Sequence, residues 1–276
     1  MSAGTVSVIM GTLNGRNTIE RSVRSLAAQT RAPLEIVVVD DGSTDGTPDV
    51  LAELQLEIPN LVVAATPDNR GIPAAYNRAL SLASGDYVAI SDDDDVCDPR
   101  RLQVSADLLD QSGADMTGGQ VVGTLRWPLR FAKSRFPTDP AGIAQRIAEG
   151  GDPLPHITMM VRRDGFERFG AYRPNPRAAD LELMLRWAHR GAHIVVSPEV
   201  LADYTFRWEF LRVDTQTRWM LLTRYARAIA PLDDHEVPSF DQWFSRQEIW
   251  PARREALRRV FRLSARMGLG TLIRRG

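Results

Sequence analysis

The chain of 276 residues carries 34 basic and 35 acidic side chains, a net charge of −1, with 43% apolar and 25% charged residues; this excludes a disordered chain and allows one large α/β domain or two small ones. Its single cysteine, Cys97, excludes a disulfide framework and a Cys-based zinc site, no run approaches the roughly 20 apolar residues of a membrane span, and Met1 to Thr5 lacks a secretory opening, so a cytoplasmic protein is expected. The charge is uneven: residues 241–276 hold nine arginines and three acids, +6, and the remaining −7 body argues against a nucleic-acid partner.

Strands and helices alternate through the first 125 residues. Val6 to Met10 is a β-branched run ending at Gly11, and Asn17 to Gln29 carries Ile19, Val23, Leu26 and Ala27 at helical spacing. Leu34 to Val39 predicts a second strand, stopped by Asp40-Asp41-Gly42-Ser43. Thr44 or Asp45 can cap the next helix, which carries Val50, Leu51 and Leu54. Leu61 to Ala65 predicts a third strand, Pro73 to Ala83 a helix, and Tyr87 to Ser91 a fourth strand that runs straight into Asp92-Asp93-Asp94-Asp95. Pro99 suits the first turn of a helix reaching Leu109, and Val121 and Val122 fall in a fifth strand. Such alternation predicts a mostly parallel sheet covered on both faces, with ligands at the carboxyl ends of its strands.

From residue 126 the pattern loosens. Trp127 to Pro155 reads as a long insertion with one helix at Ala141 to Ala148. His156 to Val161 and His193 to Val196 read as strands, and Asp180 to Arg190 and Trp219 to Ile229 as helices. Pro251 to Arg275 predicts a basic amphipathic helix, which either packs on the body or lies on an anionic membrane face.

Four adjacent carboxylates repel one another, and a hard divalent cation relieves that repulsion. Asp40 and Asp41 end the second strand as the aspartate run ends the fourth. There a carboxylate can accept from a base N–H or a ribose hydroxyl, or merely cap a turn. Arg70 of Asn69-Arg70-Gly71 lies at the same edge and suits phosphate. Asp180 and Glu182 open a helix, where acids also serve the helix dipole.

Together these residues resemble the family-2 glycosyltransferases of the GT-A fold. The motifs are V-V-D-D-G-S-T-D at Val38 to Asp45, Asn69-Arg70-Gly71 followed by Ala75-Tyr76-Asn77, and G-D-Y-V-A leading to Asp92-Asp93-Asp94. His156 to Arg163 and Phe169 to Arg173 continue the match. The resemblance implies a Rossmann-like three-layer α/β sandwich over residues 1–207, with donor binding in about 1–112 and the acceptor side in about 113–207. Residues 208–276 then form a helical C-terminal extension. It further implies an inverting hexosyltransferase-type enzyme moving a sugar from a nucleotide-diphosphate donor, expected to be a UDP-sugar, to a glycan, lipid-linked or small-molecule acceptor in envelope or polysaccharide synthesis.

By the same resemblance Thr12, Asn14, Asp40, Asp41, Asn69, Arg70, Asp92 and Asp93 line the nucleotide sugar, and Asp94 binds Mn²⁺ or Mg²⁺. Asp180 is the catalytic base, and His156 and Glu182 are acceptor-side candidates. The family's E-D pair has Ala179 at its first position here, and Arg207-Trp208 stands where a His is usual. A sugar-phosphate nucleotidyltransferase and a non-catalytic nucleotide-sugar binding module are the competing readings. The first needs a glycine-rich basic loop after strand one, of which Met10 to Arg16 is a poor version, and the second is disfavoured by Asp92, Asp94 and Asp180.

Overall fold

The computed structural model describes residues 4–66, 69–126, 129–174, 178–207, 212–247 and 249–266. Parallel strands β1 (Val6–Thr12), β2 (Glu35–Asp40), β3 (Leu61–Ala65) and β4 (Tyr87–Asp92) alternate with helices α1 (Ile19–Ala27), α2 (Thr47–Glu57) and α3 (Ile72–Leu82). The continuous apolar runs of β1, β2 and β4 follow from burial on both faces, whereas β3, at the sheet edge, is only partly buried. Ile9, Val37, Val39 and Ile90 pack with Ala75, Ala79, Leu183 and Trp187 on one side of the sheet. The alternate residues Val8, Met10, Ile36 and Val38 pack with Val23, Leu26, Leu51 and Leu102 on the other.

Strand β5 (Val96–Cys97) and helix α4 (Arg101–Ser112) lead to β6 (Met116–Arg126), which forms a hairpin with β7 (Leu129–Lys133). Helix α5 (Pro140–Ala148) follows, its first turn capped by the Asp139 side chain accepting from Gly142 N. A 3-10 turn (His156–Thr158), β8 (Met160–Arg162), α6 (Gly165–Phe169), α7 (Ala179–His189) and β9 (Ile194–Thr205) complete the sheet. Among the described residues its order is β3-β2-β1-β4-β8-β6-β9-β5, with β7 attached to β6. The register pairs Thr12 with Asp40 and Gly11 with Asp92, so three strands deliver their carboxyl ends to one edge.

Three expectations need correcting. His156 to Thr158 is a turn, and only Met160–Arg162 continues as strand. The insertion begins as the β6–β7 hairpin. Gly118 and Gly119, which disguise it in sequence, are required by close approach: a Cβ would stand 2.9 Å from Thr158 Oγ1 and 2.6 Å from Leu201 respectively. Strand β9 runs past Ser197-Pro198 to Thr205, because a shifted register opposite Gly118–Gln120 accommodates the proline.

Helices α8 (Val213–Ile229), α9 (Phe240–Phe244) and α10 (Ile249–Arg266) follow, with Ala226 of α8 packed on Leu181 and Leu185 of α7. The tail helix packs on α8 through buried Ala252, Ala256 and Val260, Arg259 lies 4.0 Å over the Trp219 ring, and Arg224 pairs with Glu255. Residues 267–275 of the expected helix lie outside the described residues. No described helix is long and apolar enough to cross a membrane.

Candidate active site

The aspartate run leaves β4 at the shared edge, and each member is held differently. Asp92 accepts from Tyr76 Oη of α3 at 2.6 Å. Asp93 accepts from Thr12 Oγ1 of β1 at 2.5 Å. Gly15 makes room for that pair, since a Cβ there would stand 2.5 Å from Asp93 Oδ2. The Asp94 carbonyl accepts from Arg21 Nη2 at 2.7 Å and from Thr205 Oγ1, while Arg207, just past β9, donates to its carboxylate. Asp95 is buried, and its Oδ1 accepts from Thr205 N at 2.6 Å. Burial pushes the Asp93 carboxyl up to about 6, and burial with the charges of Asp92 and Asp94 drives Asp95 well above the usual carboxylate range. Asp92 is raised as well, by burial against the pull of His156.

The aspartates line a cavity of about 1000 Å³ whose wall includes Gly11, Arg70, Tyr76, His156 and Tyr172, and, from the first turn of α7, Asp180. Asp180 is exposed to the cavity space, and its helix starts from Ala178 at φ 65°. A carboxylate so placed faces the positive end of the helix dipole. Its charge is felt by Asp92 and by the Tyr172 phenol, which burial and both carboxylates push up. Tyr76 and Tyr172 stack at 5.1 Å, and His156 Nε2 lies 2.8 Å from Tyr172 Oη. Asn77 fixes Tyr172 by a reciprocal pair: Nδ2 donates to its carbonyl at 2.7 Å and Oδ1 accepts from its N–H at 3.1 Å.

Of the expected donor residues, Arg70, Asp92 and Asp93 line the cavity together with Asp94. Thr12, Asn14, Asp40, Asp41 and Asn69 are not among its lining residues. Asp41 is buried and accepts from Thr66 Oγ1 at 2.5 Å, Arg70 N at 3.0 Å and Gly71 N at 2.7 Å, so it holds the Arg70 loop. Asp40 accepts from Ser43 N and Oγ. Asn14, at φ 58°, ties the first loop to the second by accepting from Thr44 N and receiving Ser43 Oγ on its own N–H.

Glu182 is corrected outright as an acceptor-side candidate. It lies two residues beyond Asp180, about 200° round the helix. There it is fully buried, accepting from Arg173 Nη1 at 2.9 Å and Arg186 Nε at 2.8 Å. Sequence reasoning missed the far wall of the cavity, formed by Tyr225 and the segment from Val237 to Asp241. No motif marks it, because the fold alone brings it within reach of Asp180. Trp208, beside Arg207, lies outside the described residues.

No group of three or more His, Cys, Asp or Glu side chains is poised as a metal cage among the described residues. The Asp94 carboxylate nevertheless fits a hard cation: it offers oxygen donors at the cavity edge and already holds a cationic group there. Such a site suits an ion that takes its remaining ligands from substrate phosphates and water.

The mostly parallel sheet and its aspartate-lined cavity define a glycosyltransferase of GT-A architecture. A family model described as Glycosyl transferase family 2 matches residues 7–170, and the chain belongs to that family. EpsE of Bacillus subtilis (strain 168), a glycosyltransferase by name, is 31% identical over 195 residues, 67% of each chain. TuaG of the same organism, by name a teichuronic acid biosynthesis glycosyltransferase, is 31% identical over 203 residues, 72% of this chain and 78% of its own. The mannosyltransferase PcManGT of Pyrobaculum calidifontis, solved with GDP-Man and Mn²⁺, superposes with a TM-score of 0.64 at 22% identity, covering 96% of this chain and 76% of that one. S. aureus TarS 1-349 with UDP-GlcNAc gives a TM-score of 0.63 at 22% identity, covering 93% and 72%. At these identities the structural likeness concerns the fold.

Proposed function

We propose that this glycosyltransferase moves a sugar from a nucleotide-diphosphate donor, a UDP-sugar, to an acceptor hydroxyl with inversion, in the synthesis of a polysaccharide or envelope glycan. The observation that carries the reading is the placement of Asp180 in one cavity with Asp92, Asp93 and Asp94. Transfer requires a base at the attacking hydroxyl and stabilisation of the departing diphosphate on the opposite side of the sugar. Asp180 takes the acceptor proton. Arg70 and Arg207, on the other rim, meet the phosphates. Asp94 would hold Mn²⁺ or Mg²⁺, which when bound would neutralise charge on the leaving diphosphate. Thr12, Asn14 and Asp41 position Asp93 and the Arg70 loop, and Asp40 stands at the end of the sheet where the nucleoside would lie.

The relatives support this reading. TuaG is named for teichuronic acid biosynthesis, and TarS and PcManGT were solved with nucleotide sugars. The deciding experiment incubates the chain with UDP-, GDP- and dTDP-sugars and Mn²⁺. Slow metal-dependent release of nucleoside diphosphate is expected. Pyrophosphate release would indicate a nucleotidyltransferase instead, and binding without turnover a silent binding module.

The tail offers a second point of contact. Its apolar stripe is spent on α8, but Arg253, Arg254 and Arg258 are exposed beside Leu257. This face suits electrostatic attachment to anionic lipid headgroups at the inner membrane face, beside a lipid-linked acceptor.

A further inference from the structure

The cavity is electrically two-sided. Among its described lining residues the arginines, Arg70 and Arg207, stand on the donor rim, whereas the far wall adds only Asp241 to Asp180. Its volume of about 1000 Å³ reaches the upper end of the roughly 300–1000 Å³ typical of a site for one small ligand, so there is room for a second.

The far wall is built rather than loosely draped. Buried Arg173 donates to the Ile229 carbonyl at 2.8 Å, to the Leu232 carbonyl, and to Asp234 Oδ1 at 2.9 Å, fixing the chain as it leaves α8. Tyr225 Oη donates to the Pro238 carbonyl at 2.7 Å. Ser239 and Gln242 then close a capping box at α9. Phe240 is thereby held half-buried, edge-on to Tyr225 at 5.3 Å and stacked near Phe244 at 5.6 Å, while still lining the cavity. Asp241 beside it is exposed.

We infer that Phe240 and Asp241 form the acceptor subsite, and that it takes an uncharged pyranose with no phosphate or carboxylate near the attacked hydroxyl. This rests on the glycosyltransferase reading and adds to it the class of acceptor. An aromatic ring presents an apolar face to the C–H side of a sugar, and a carboxylate accepts from its hydroxyls. An acidic sugar at this place would meet both Asp180 and Asp241, while the basic groups of the described wall are engaged or placed elsewhere, Arg207 on Asp94, His156 on the Tyr172 hydroxyl and Arg70 on the donor loop, and like charges at such range repel.

The test uses the full chain saturated with Mn²⁺ and UDP, with binding of methyl glucoside, methyl galactoside, glucuronate and glucose 6-phosphate followed by saturation-transfer NMR. The neutral sugars are expected to bind through their C–H faces and the two acidic ones not. Phe240→Ala should weaken neutral-sugar binding roughly tenfold, the worth of one aromatic contact. Phe240→Tyr, which keeps the ring, should restore it. Asp241→Asn, at an exposed position that leaves the fold alone, should let the acidic sugars bind. Equal binding of acidic and neutral sugars by the wild type, or unchanged selectivity in Asp241→Asn, overturns the inference. UDP binding is read in the same samples, and slow hydrolysis of a UDP-sugar in a parallel sample of the same protein with the UDP-sugar in place of UDP. Their loss in the wild type would sink the glycosyltransferase reading, whereas their presence with a failed sugar panel sinks the acceptor subsite alone.

Discussion

Arg207 donates through both Nε and Nη2 to the same oxygen of Asp94, at 2.9 and 2.7 Å. A guanidinium and a metal ion cannot both sit against that oxygen at full strength. The Arg207 side chain is 62% exposed, so this ion pair is a modest competitor. We predict that Arg207→Ala binds free Mn²⁺ roughly two- to fivefold more tightly without nucleotide, the range for an exposed pair. Electron paramagnetic resonance of free Mn²⁺ measures this, and unchanged or weaker affinity refutes the competition.

Asp180→Asn should retain UDP and Mn²⁺ binding yet lose transfer by a factor on the order of 10²–10⁴, the usual contribution of a positioned base. Calorimetry checks the first half and single-turnover transfer the second. Normal turnover in this variant would remove Asp180 from the mechanism.

Asp93 sets a pH dependence. Its folded pKa, raised to about 6 by burial, exceeds the unfolded value, so folding favours the protonated form. That stabilisation is fully present below about pH 4 and is lost as pH rises through about 6. Asp152, also pushed up to about 6 by burial, acts in the same window. Asp93→Asn should therefore gain stability over the wild type as pH rises from about 4 to about 7 in metal-free buffer. Urea unfolding at several pH values gives the difference directly; a flat difference contradicts the assignment.

Glu182 is where a stability loss without direct chemistry is expected. Glu182→Gln leaves the buried guanidinium groups of Arg173 and Arg186 short of a counter-charge, which costs about 3–5 kcal/mol when one partner of a buried pair is removed. Chemical denaturation should show the drop, while donor hydrolysis by the fraction still folded stays near normal.

For the tail, the full chain should co-sediment with phosphatidylserine vesicles at low salt and not with phosphatidylcholine vesicles. Replacing Arg253, Arg254 and Arg258 together by Glu should abolish it. Equal sedimentation of the two proteins would end the membrane reading.

The donor half was legible because its strands are buried on both faces and its charged motifs follow them without a spacer, as Asp92 follows Ser91. Topology then fixes where such residues must lie. The sense in which a side chain turns was not legible. Asp40 and Asp41 are neighbours, yet Asp41 points into the Arg70 loop. Asp180 and Glu182 share a turn, yet one lines the cavity and the other is sealed between arginines. Gly118 and Gly119 obscured how early β6 begins, because the side chains that require them, Thr158 and Leu201, lie far along the chain. The Phe240 wall was invisible for the same reason: it meets Asp180 across 60 residues, and nothing local marks the meeting.

The buried Arg173 has a mechanical consequence. One guanidinium binds Glu182, on the helix that carries Asp180, and also the outgoing chain at Ile229, Leu232 and Asp234. That guanidinium ties the helix of Asp180 to the far wall of the cavity. The opposite lip is held differently, by exposed Arg207 against the Asp94 carboxylate. Donor and nucleoside diphosphate would pass that ion pair, on the side away from the wall that Arg173 ties down.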